Sequence, residues 1–191
     1  MVKRQSKRRI SLGIKLYLFI GFAIILVGFS IALVTYHINA NQIDNYFKRL
    51  ALSSARTFAA IVDKDVIVSI RDMAVSDEYQ AIRQEAEDTE NEKLVVDYIK
   101  EQGLWDEYIS ERDRLQNFLS SMDDIKYLYI TYIGDVEATQ DMYILDDITN
   151  EVYETGYYER REEELLGIDG KVEIEPSISN GDWGWLCSSF V

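Results

Sequence analysis

Tyrosine and threonine residues recur at alternate positions in the second half of this sequence, where the residue types favour β-strands. Tyr129 and Thr131 lie two positions apart in the aromatic and β-branched segment 125–133, and Tyr143 lies in the next such segment. Alternate residues of a strand point to the same face, so Tyr129 and Thr131 are expected to share one face of a sheet. A phenol ring combines apolar area with a hydrogen-bonding group, as small-molecule pockets require. The spacing therefore predicts a ligand site on that face, with the Asp146 carboxylate at the end of the second strand binding an amine of the ligand.

The competing interpretation is that these aromatic residues fill an ordinary hydrophobic core. Aromatic side chains contribute much of the buried area in protein cores, and the residue types alone do not separate a core from a pocket. The residues that the ligand-site hypothesis assigns to ligand binding are Tyr129, Thr131, Tyr143, Asp146 and Trp183.

The sequence lacks the patterns of catalytic and metal-binding sites. It holds one histidine, so a H-E-x-x-H zinc motif is impossible. The one cysteine, Cys187, has no histidine available to activate it, and its better interpretation is a small packing residue. Acidic pairs such as Asp123-Asp124 lack the spaced ligands around a glycine turn that calcium loops use. We expect no catalytic residues, no metal and no cofactor. A surface hydrolase is the last-ranked alternative, because no nucleophile and base can be paired.

Charge is divided unevenly along the chain. Residues 1–43 contain six lysines and arginines and no acid, whereas residues 44–191 carry all 34 acids and a formal charge of −20. Nucleic acid binding requires a positively charged surface. The acidic part of the chain therefore argues against nucleic acid as the main partner.

A membrane-spanning helix is predicted for residues 16–36, which include no charged residue. A helix of this length spans roughly 30 Å, the thickness of the hydrocarbon core of a bilayer. Tyr17 and Tyr36 lie near its ends, as suits the membrane interface. The basic tail, residues 1–15, favours a cytoplasmic N-terminus by the positive-inside rule, which places residues 38–191 outside the cell in a single-pass arrangement. A cleaved signal peptide is the alternative, although its apolar region is usually only about 7–15 residues long.

Helical periodicity dominates the part of the chain that follows the apolar segment. Apolar residues recur at helical spacing and no Gly or Pro interrupts residues 39–73, which predicts one long amphipathic helix. The acid-rich segment 85–92 is expected to be an exposed connector. Residues 93–122 predict a second helical region, with Gly103 at the position where it can break in two.

Strand-forming segments follow these helices. Residues 125–133 predict a strand buried on both faces, and residues 141–145 predict a second strand. The turn signal Asn180-Gly181 precedes a last apolar strand over 183–191. Long helices followed by antiparallel strands predict an α+β fold rather than a doubly wound parallel sheet.

The order of these segments resembles a known sensor architecture. The segments that carry the resemblance are IKYLYITYIGD, MYILDD, GYYE and EPSISNGDWGWLCSSF. Together with the basic tail and the helices before them, they are similar to the extracytoplasmic Cache sensor modules, PAS-like, of bacterial transmembrane signalling proteins. The resemblance covers about residues 16–191. It implies a PAS/Cache-like antiparallel sheet, dimerisation, and an output domain of chemoreceptor, diguanylate cyclase, kinase or phosphatase type.

The sequence departs from that family pattern at its C-terminus. In the family, a further strand, a second membrane helix and the output domain follow the WGW-like segment. Here the sequence stops at Phe190-Val191 within an apolar strand. The Cache-like domain over residues 38–191 is therefore expected to be incomplete at its C-terminus.

Two hypotheses of function follow from these features. The first is a membrane-anchored extracytoplasmic module that binds a small molecule and passes a shift along the outer helix through the membrane, by population shift between two packings. It requires residues 39–73 to be one continuous helix. The alternative is a membrane-anchored interaction protein or a degenerate fragment without a ligand. The expected partners are the lipid bilayer, an unidentified small molecule and a second copy of the chain, paired through the outer helix at coiled-coil spacing.

Overall fold

The computed structural model describes residues 11–134, 137, 139–146, 152–161, 166, 174–181 and 184–191. The chain divides into two units, Met1–Phe47 and Lys48–Val191. Within these described ranges, five α-helices precede five strands that pair antiparallel, which confirms the α+β class. The helices are α1 (Leu12–Ile61), α2 (Lys64–Ala74), α3 (Asp77–Thr89), α4 (Lys93–Glu101) and α5 (Trp105–Ser120). The strands are β1 (Tyr129–Ile133), β2 (Gln140–Asp146), β3 (Tyr158–Arg160), β4 (Ile174–Gly181) and β5 (Gly184–Phe190).

Helix α1 contains the apolar segment that was predicted to span a membrane. It is long and apolar enough to cross a bilayer, and its most apolar part has no buried residue. The side chains over residues 16–36 are exposed at every position except Gly21, which is half-buried. Such exposure is expected of a lipid-facing helix or of a signal sequence, and it differs from the burial of a soluble core helix.

The prediction of one helix over residues 39–73 is wrong, because the helix is interrupted at Val62 and Asp63, between α1 and α2. The Asp63 carboxylate accepts hydrogen bonds from the backbone N–H groups of Asp65, at 3.1 Å, and Val66, at 3.3 Å. These are N–H groups that have no partner within a helix, so an Asp at this position favours a new helix start. The apolar spacing continues on both sides of the break, and periodicity alone therefore misses it.

Helix α3 occupies much of the segment that was predicted to be a connector. Ser76 caps it by accepting a hydrogen bond from the backbone N–H of Tyr79 at 3.2 Å. Its buried face consists of Tyr79, Arg83 and Ala86, at helical spacing, while its acids face outwards. The predicted break at Gly103 is confirmed: this residue has a φ of 73° and separates α4 from α5.

Strands β1, β2 and β3 form a sheet in that order, and β2 packs against α2 and α5. Met142, Ile144 and Leu145 of β2 are fully buried in the common core. The prediction that the first strand is buried on both faces is wrong, since Tyr129 is 36% exposed and Tyr132 is 39% exposed. The strand is also shorter than predicted, because residues 125–128 lie outside it. Other buried members of the core are Phe58, Ile70, Met73, Tyr79, Val95, Ile99, Tyr108 and Leu115.

Strands β4 and β5 form a separate two-stranded sheet. The pairing runs from Gly181 opposite Gly184 to Ile174 opposite Phe190, with a register shift between Ile174 and Ser177. The predicted last strand is therefore present as β5.

Candidate functional site

Four of the five predicted site residues lie on one face of the three-stranded sheet. Tyr129 pairs with Asp146, and Thr131 pairs with Tyr143. Residues that are directly opposite in an antiparallel pair project to the same face, and the Tyr129 and Tyr143 rings are in contact with centroids 5.4 Å apart. The fifth residue, Trp183, lies outside the described residues.

A bulge in β2 brings these residues together. The register shifts between Ile130 and Thr131, so that β2 has one residue more than β1, and Ile144 is the residue passed over. A bulge re-aims the side chains on either side of it. Here it places both Tyr143 and Asp146 on the face of Tyr129. Residues three positions apart in a regular strand would project to opposite faces.

The Tyr143 ring lies between two other tyrosine rings. Its centroid is 5.4 Å from that of Tyr129 and 6.5 Å from that of Tyr157. We call these three residues the tyrosine row. Tyr157 was missed as a site residue, although the repeated aromatic of the GYYE segment was a signal for it. Because Tyr129 and Tyr157 at the two ends are each more than one-third exposed, the row presents aromatic surface to the solvent.

A carboxylate fixes the orientation of the central tyrosine. The Tyr143 hydroxyl donates a hydrogen bond to Glu159 Oε2 at 2.7 Å. Burial, followed by the hydrogen bond to Glu159 and its charge, raises the pKa of Tyr143. The hydroxyl therefore stays protonated at physiological pH and acts as a donor. Sequence reasoning missed Glu159 because β3, which carries it, has only three residues.

A buried arginine lies over the outer ring of the row. The Arg83 guanidinium is 5.6 Å from the centroid of the Tyr157 ring and pairs with Glu87 at 3.0 Å. Its Nε also donates to Gln80 Oε1 at 3.4 Å. A guanidinium over an aromatic face is attracted by the ring quadrupole. Arg83 thus joins α3 to the tyrosine row, and its charge is already compensated by Glu87.

The turn before β3 anchors the row to the body of the protein. Gly156 N donates to the Tyr143 carbonyl at 2.7 Å, and Tyr143 N donates to the Tyr157 carbonyl at 2.9 Å. Behind this turn, Thr155 is buried and contacts two buried tyrosines: its carbonyl accepts from the Tyr79 hydroxyl at 2.8 Å, and its hydroxyl is 2.9 Å from that of Tyr108. Burial raises the pKa of both tyrosines, so both remain neutral.

The arrangement provides aromatic area, acceptor groups and a protonated phenol, which are groups that can bind a small molecule. Asp146 and Glu159 bring negative charge to the two sides of Tyr143. Among the residues that the structure describes, no group of three or more His, Cys, Asp or Glu side chains could hold a metal ion. Cys187, in β5, is half-buried.

The comparisons with known proteins give no relative. No family model matches the chain, and neither a curated protein nor a solved structure matches it significantly.

Proposed function

We propose that this chain is a membrane-anchored, extracytoplasmic small-molecule sensor module of a bacterial signal-transduction protein, of the Cache, PAS-like kind. The observation that carries the proposal is the pairing of two features in one chain. An apolar helix segment exposes its side chains, and an α+β unit presents the tyrosine row on one face of its sheet. The first feature supports an anchor and the second supports ligand recognition.

The anchor follows from the cost of exposing apolar side chains to water. Residues 16–36 carry large apolar side chains that are 45% exposed or more, and their transfer from water into lipid is favourable. The basic tail favours the cytoplasm, which in a single-pass protein leaves the C-terminal domain extracytoplasmic. The exposed apolar residues Ile43 and Phe47, one helical turn apart on α1, support a homodimer through the outer helix.

Arginine substitutions in the apolar segment test the anchor. Replacing Ile24 and Ile25 together by arginine adds about 2.5–3.5 kcal/mol per residue to the cost of insertion at the centre of a bilayer. We expect the full chain to move from the membrane fraction to the soluble or degraded fraction. The control is Ile43→Arg, which places one arginine at an exposed position of α1 outside the segment, and should leave the chain in the membrane.

Protease added to intact cells tests the orientation of the anchored chain, and light scattering of the solubilised chain measures its mass. Cleavage of the acidic unit from outside and a dimeric mass are expected. A wild-type chain recovered in the soluble fraction would contradict the anchor, whereas an acidic unit that resists external protease would contradict the orientation.

The tyrosine row supports a ligand that is neutral or positively charged, with an apolar surface and a hydrogen-bond donor. The faces of the rings carry negative potential, and Asp146 and Glu159 add formal negative charge. Anionic ligands would be repelled by both acids.

Two tyrosines of β1 form a matched pair for testing this site. Tyr129 and Tyr132 are similarly exposed but project to opposite faces: Tyr129 contacts Tyr143, whereas Tyr132 pairs with the core residue Met142 and lies under Arg71. The full chain in detergent would be screened by thermal shift against amines, amino acids, sugars and carboxylates. We expect a compound that stabilises the wild type to lose about fivefold or more in affinity with Tyr129→Ala, since aromatic contacts contribute about 1 kcal/mol or more, and to retain its affinity with Tyr132→Ala.

The alternative, an interaction protein or degenerate fragment without a ligand, is favoured by one observation. The polar groups of the site are already paired, Tyr143 with Glu159 and Arg83 with Glu87. A folded wild type that shifts with no compound of the screen would favour this alternative over sensing.

A further inference from the structure

The break between α1 and α2 is held by two charged residues of α5. Glu111 is only 2% exposed, and its Oε2 accepts a hydrogen bond from the Asp63 backbone N–H at 3.3 Å. Arg114 pairs with Glu111 at 2.6 Å and donates to the carbonyl of Ile61, the last residue of α1, at 3.0 Å. We call Glu111 and Arg114 the hinge clamp. It satisfies backbone groups that the end of one helix and the start of the next leave without a helical partner.

The same helix face contacts the turn behind the tyrosine row. Tyr108 lies one turn before Glu111 on α5, and its hydroxyl is 2.9 Å from that of Thr155. The Thr155 hydroxyl also donates to the carbonyl of Ile144 in β2 at 3.3 Å. Thr155 directly precedes Gly156, whose N–H is bonded to Tyr143. A continuous set of hydrogen bonds and one rigid helix therefore joins the candidate site to the end of α1.

We propose that α5 is the regulatory coupling element of this protein, which links the tyrosine row to the end of α1 through Thr155 and Tyr108 at one end and the hinge clamp at the other. This inference rests on the proposed function, in which occupancy of the site changes α1. The proposed function required one continuous outer helix, which the chain lacks. The coupling through α5, which we call the relay, takes its place and acts at the break at Val62 and Asp63. Coupling of this kind needs an element whose stability both ends affect. Helix α5 meets that condition because its buried polar contacts lie at these two places.

Hydrogen exchange of the full chain in detergent tests the relay without any ligand. Tyr108→Phe removes only the hydroxyl, which contacts Thr155 and also forms a hydrogen bond with Arg112, so Thr155→Val below tests the Thr155 contact by itself. We expect Tyr108→Phe to speed exchange of the amides over residues 59–66 by about fivefold, the size of effect that loss of one buried hydrogen bond produces, relative to the amides of α4. Arg114→Met should speed exchange of the same amides directly.

Two matched controls accompany these variants. Tyr98→Phe removes a hydroxyl that bonds to Glu78 on α3, and Lys93→Met breaks an exposed ion pair on α4; both should leave residues 59–66 unchanged. Thr155→Val should reproduce the effect of Tyr108→Phe, and Thr155→Ser, which keeps the hydroxyl, should not.

The relay would be overturned if Tyr108→Phe and Thr155→Val changed exchange only within α5 and residues 152–157. Since no ligand is present, that failure would leave the ligand screen untouched. Conversely, a protein without a ligand could still pass the exchange test, so the failures of the relay and of the proposed function are separable.

Discussion

Replacing Gly156 by alanine is expected to destabilise the α+β unit by about 2–5 kcal/mol. Gly156 has a φ of 82°, a left-handed conformation that costs other residues roughly 1–2 kcal/mol. An added Cβ would also lie 2.8 Å from the Tyr79 ring and 2.9 Å from Gln80 Nε2, and such overpacking typically costs about 1–3 kcal/mol. At roughly 2–4 °C per kcal/mol for a domain of this size, the melting temperature should fall by about 4–20 °C, as measured by circular dichroism.

The control for this prediction is Gly103→Ala. Gly103 has a similar φ of 73°, but no atom lies within 4 Å of an added Cβ. Alanine at position 103 would incur only the backbone strain of a positive φ and should lower the free energy of unfolding by about 1–2 kcal/mol. If the two variants were equally stable, the close approach of Gly156 to the Tyr79 ring would not constrain the turn. The difference between them therefore isolates the packing contribution.

The expected loss at Gly156 also bears on the candidate site. Its N–H is bonded to the Tyr143 carbonyl, and the next residue is Tyr157, the outer member of the tyrosine row. A turn that moves away from Tyr79 must move Tyr157 with it. The close packing of this glycine is thus one of the features that position the row.

The order and class of the elements could be predicted from sequence because they depend on patterns within short windows. The 3.6-residue period, the change to alternating aromatic residues and the glycine at 103 are all local signals. The break at Asp63 also has a local signal. Asp63 is an N-cap residue, whose carboxylate accepts hydrogen bonds from the N–H groups two and three residues later. The break was missed because apolar periodicity was given more weight than the cap.

Helix α3 was missed for a different reason. Its buried face contains Arg83, whose guanidinium pairs with Glu87 and lies over Tyr157. A count of polar residues treats such an arginine as exposed, although its long aliphatic stem can be buried. The burial of Arg83 depends on a tertiary partner, Tyr157, that the sequence around it does not reveal. The acid-rich segment by itself therefore does not indicate a packed helix.

The candidate site was predicted in part because strand alternation and strand pairing act together. Alternation correctly placed Tyr129 and Thr131 on one face, and the antiparallel register added Tyr143 and Asp146. The bulge at Ile144 could not be predicted, since β2 contains no glycine or other local signal that marks it. Glu159 lies on a strand too short to give a pattern of its own, and Tyr157 lies directly before that strand. Ligand binding at this face stays a prediction.

Asp141→Ala is expected to cost about 3–5 kcal/mol, the second large effect on this sheet. Asp141 on β2 pairs with Arg161 directly after β3 at 3.0 Å, and the arginine side chain is only 4% exposed. Removing one member of a buried ion pair leaves the other charge in a poorly solvated place. Urea unfolding of the solubilised chain would measure the loss. As a control, Asp97→Ala breaks an ion pair with Lys93 on the surface and should cost less than about 1 kcal/mol.

A double variant separates two contributions to the free energy of unfolding: the cost of leaving the buried Arg161 charge without Asp141, and the stabilisation that the ion pair itself provides. Changing Asp141 to valine and Arg161 to leucine together removes both charges and keeps apolar volume in the gap between β2 and the end of β3. Buried ion pairs replaced in this way are often neutral in stability, so the double variant should recover most of the loss of Asp141→Ala. A double variant as unstable as the single one would mean that the pair itself, rather than the stranded guanidinium, stabilises the edge of the sheet. Asp141 lies directly opposite Glu159, and Tyr143 follows two residues later on β2, so the hydrogen bond between Tyr143 and Glu159 would then depend on this ion pair.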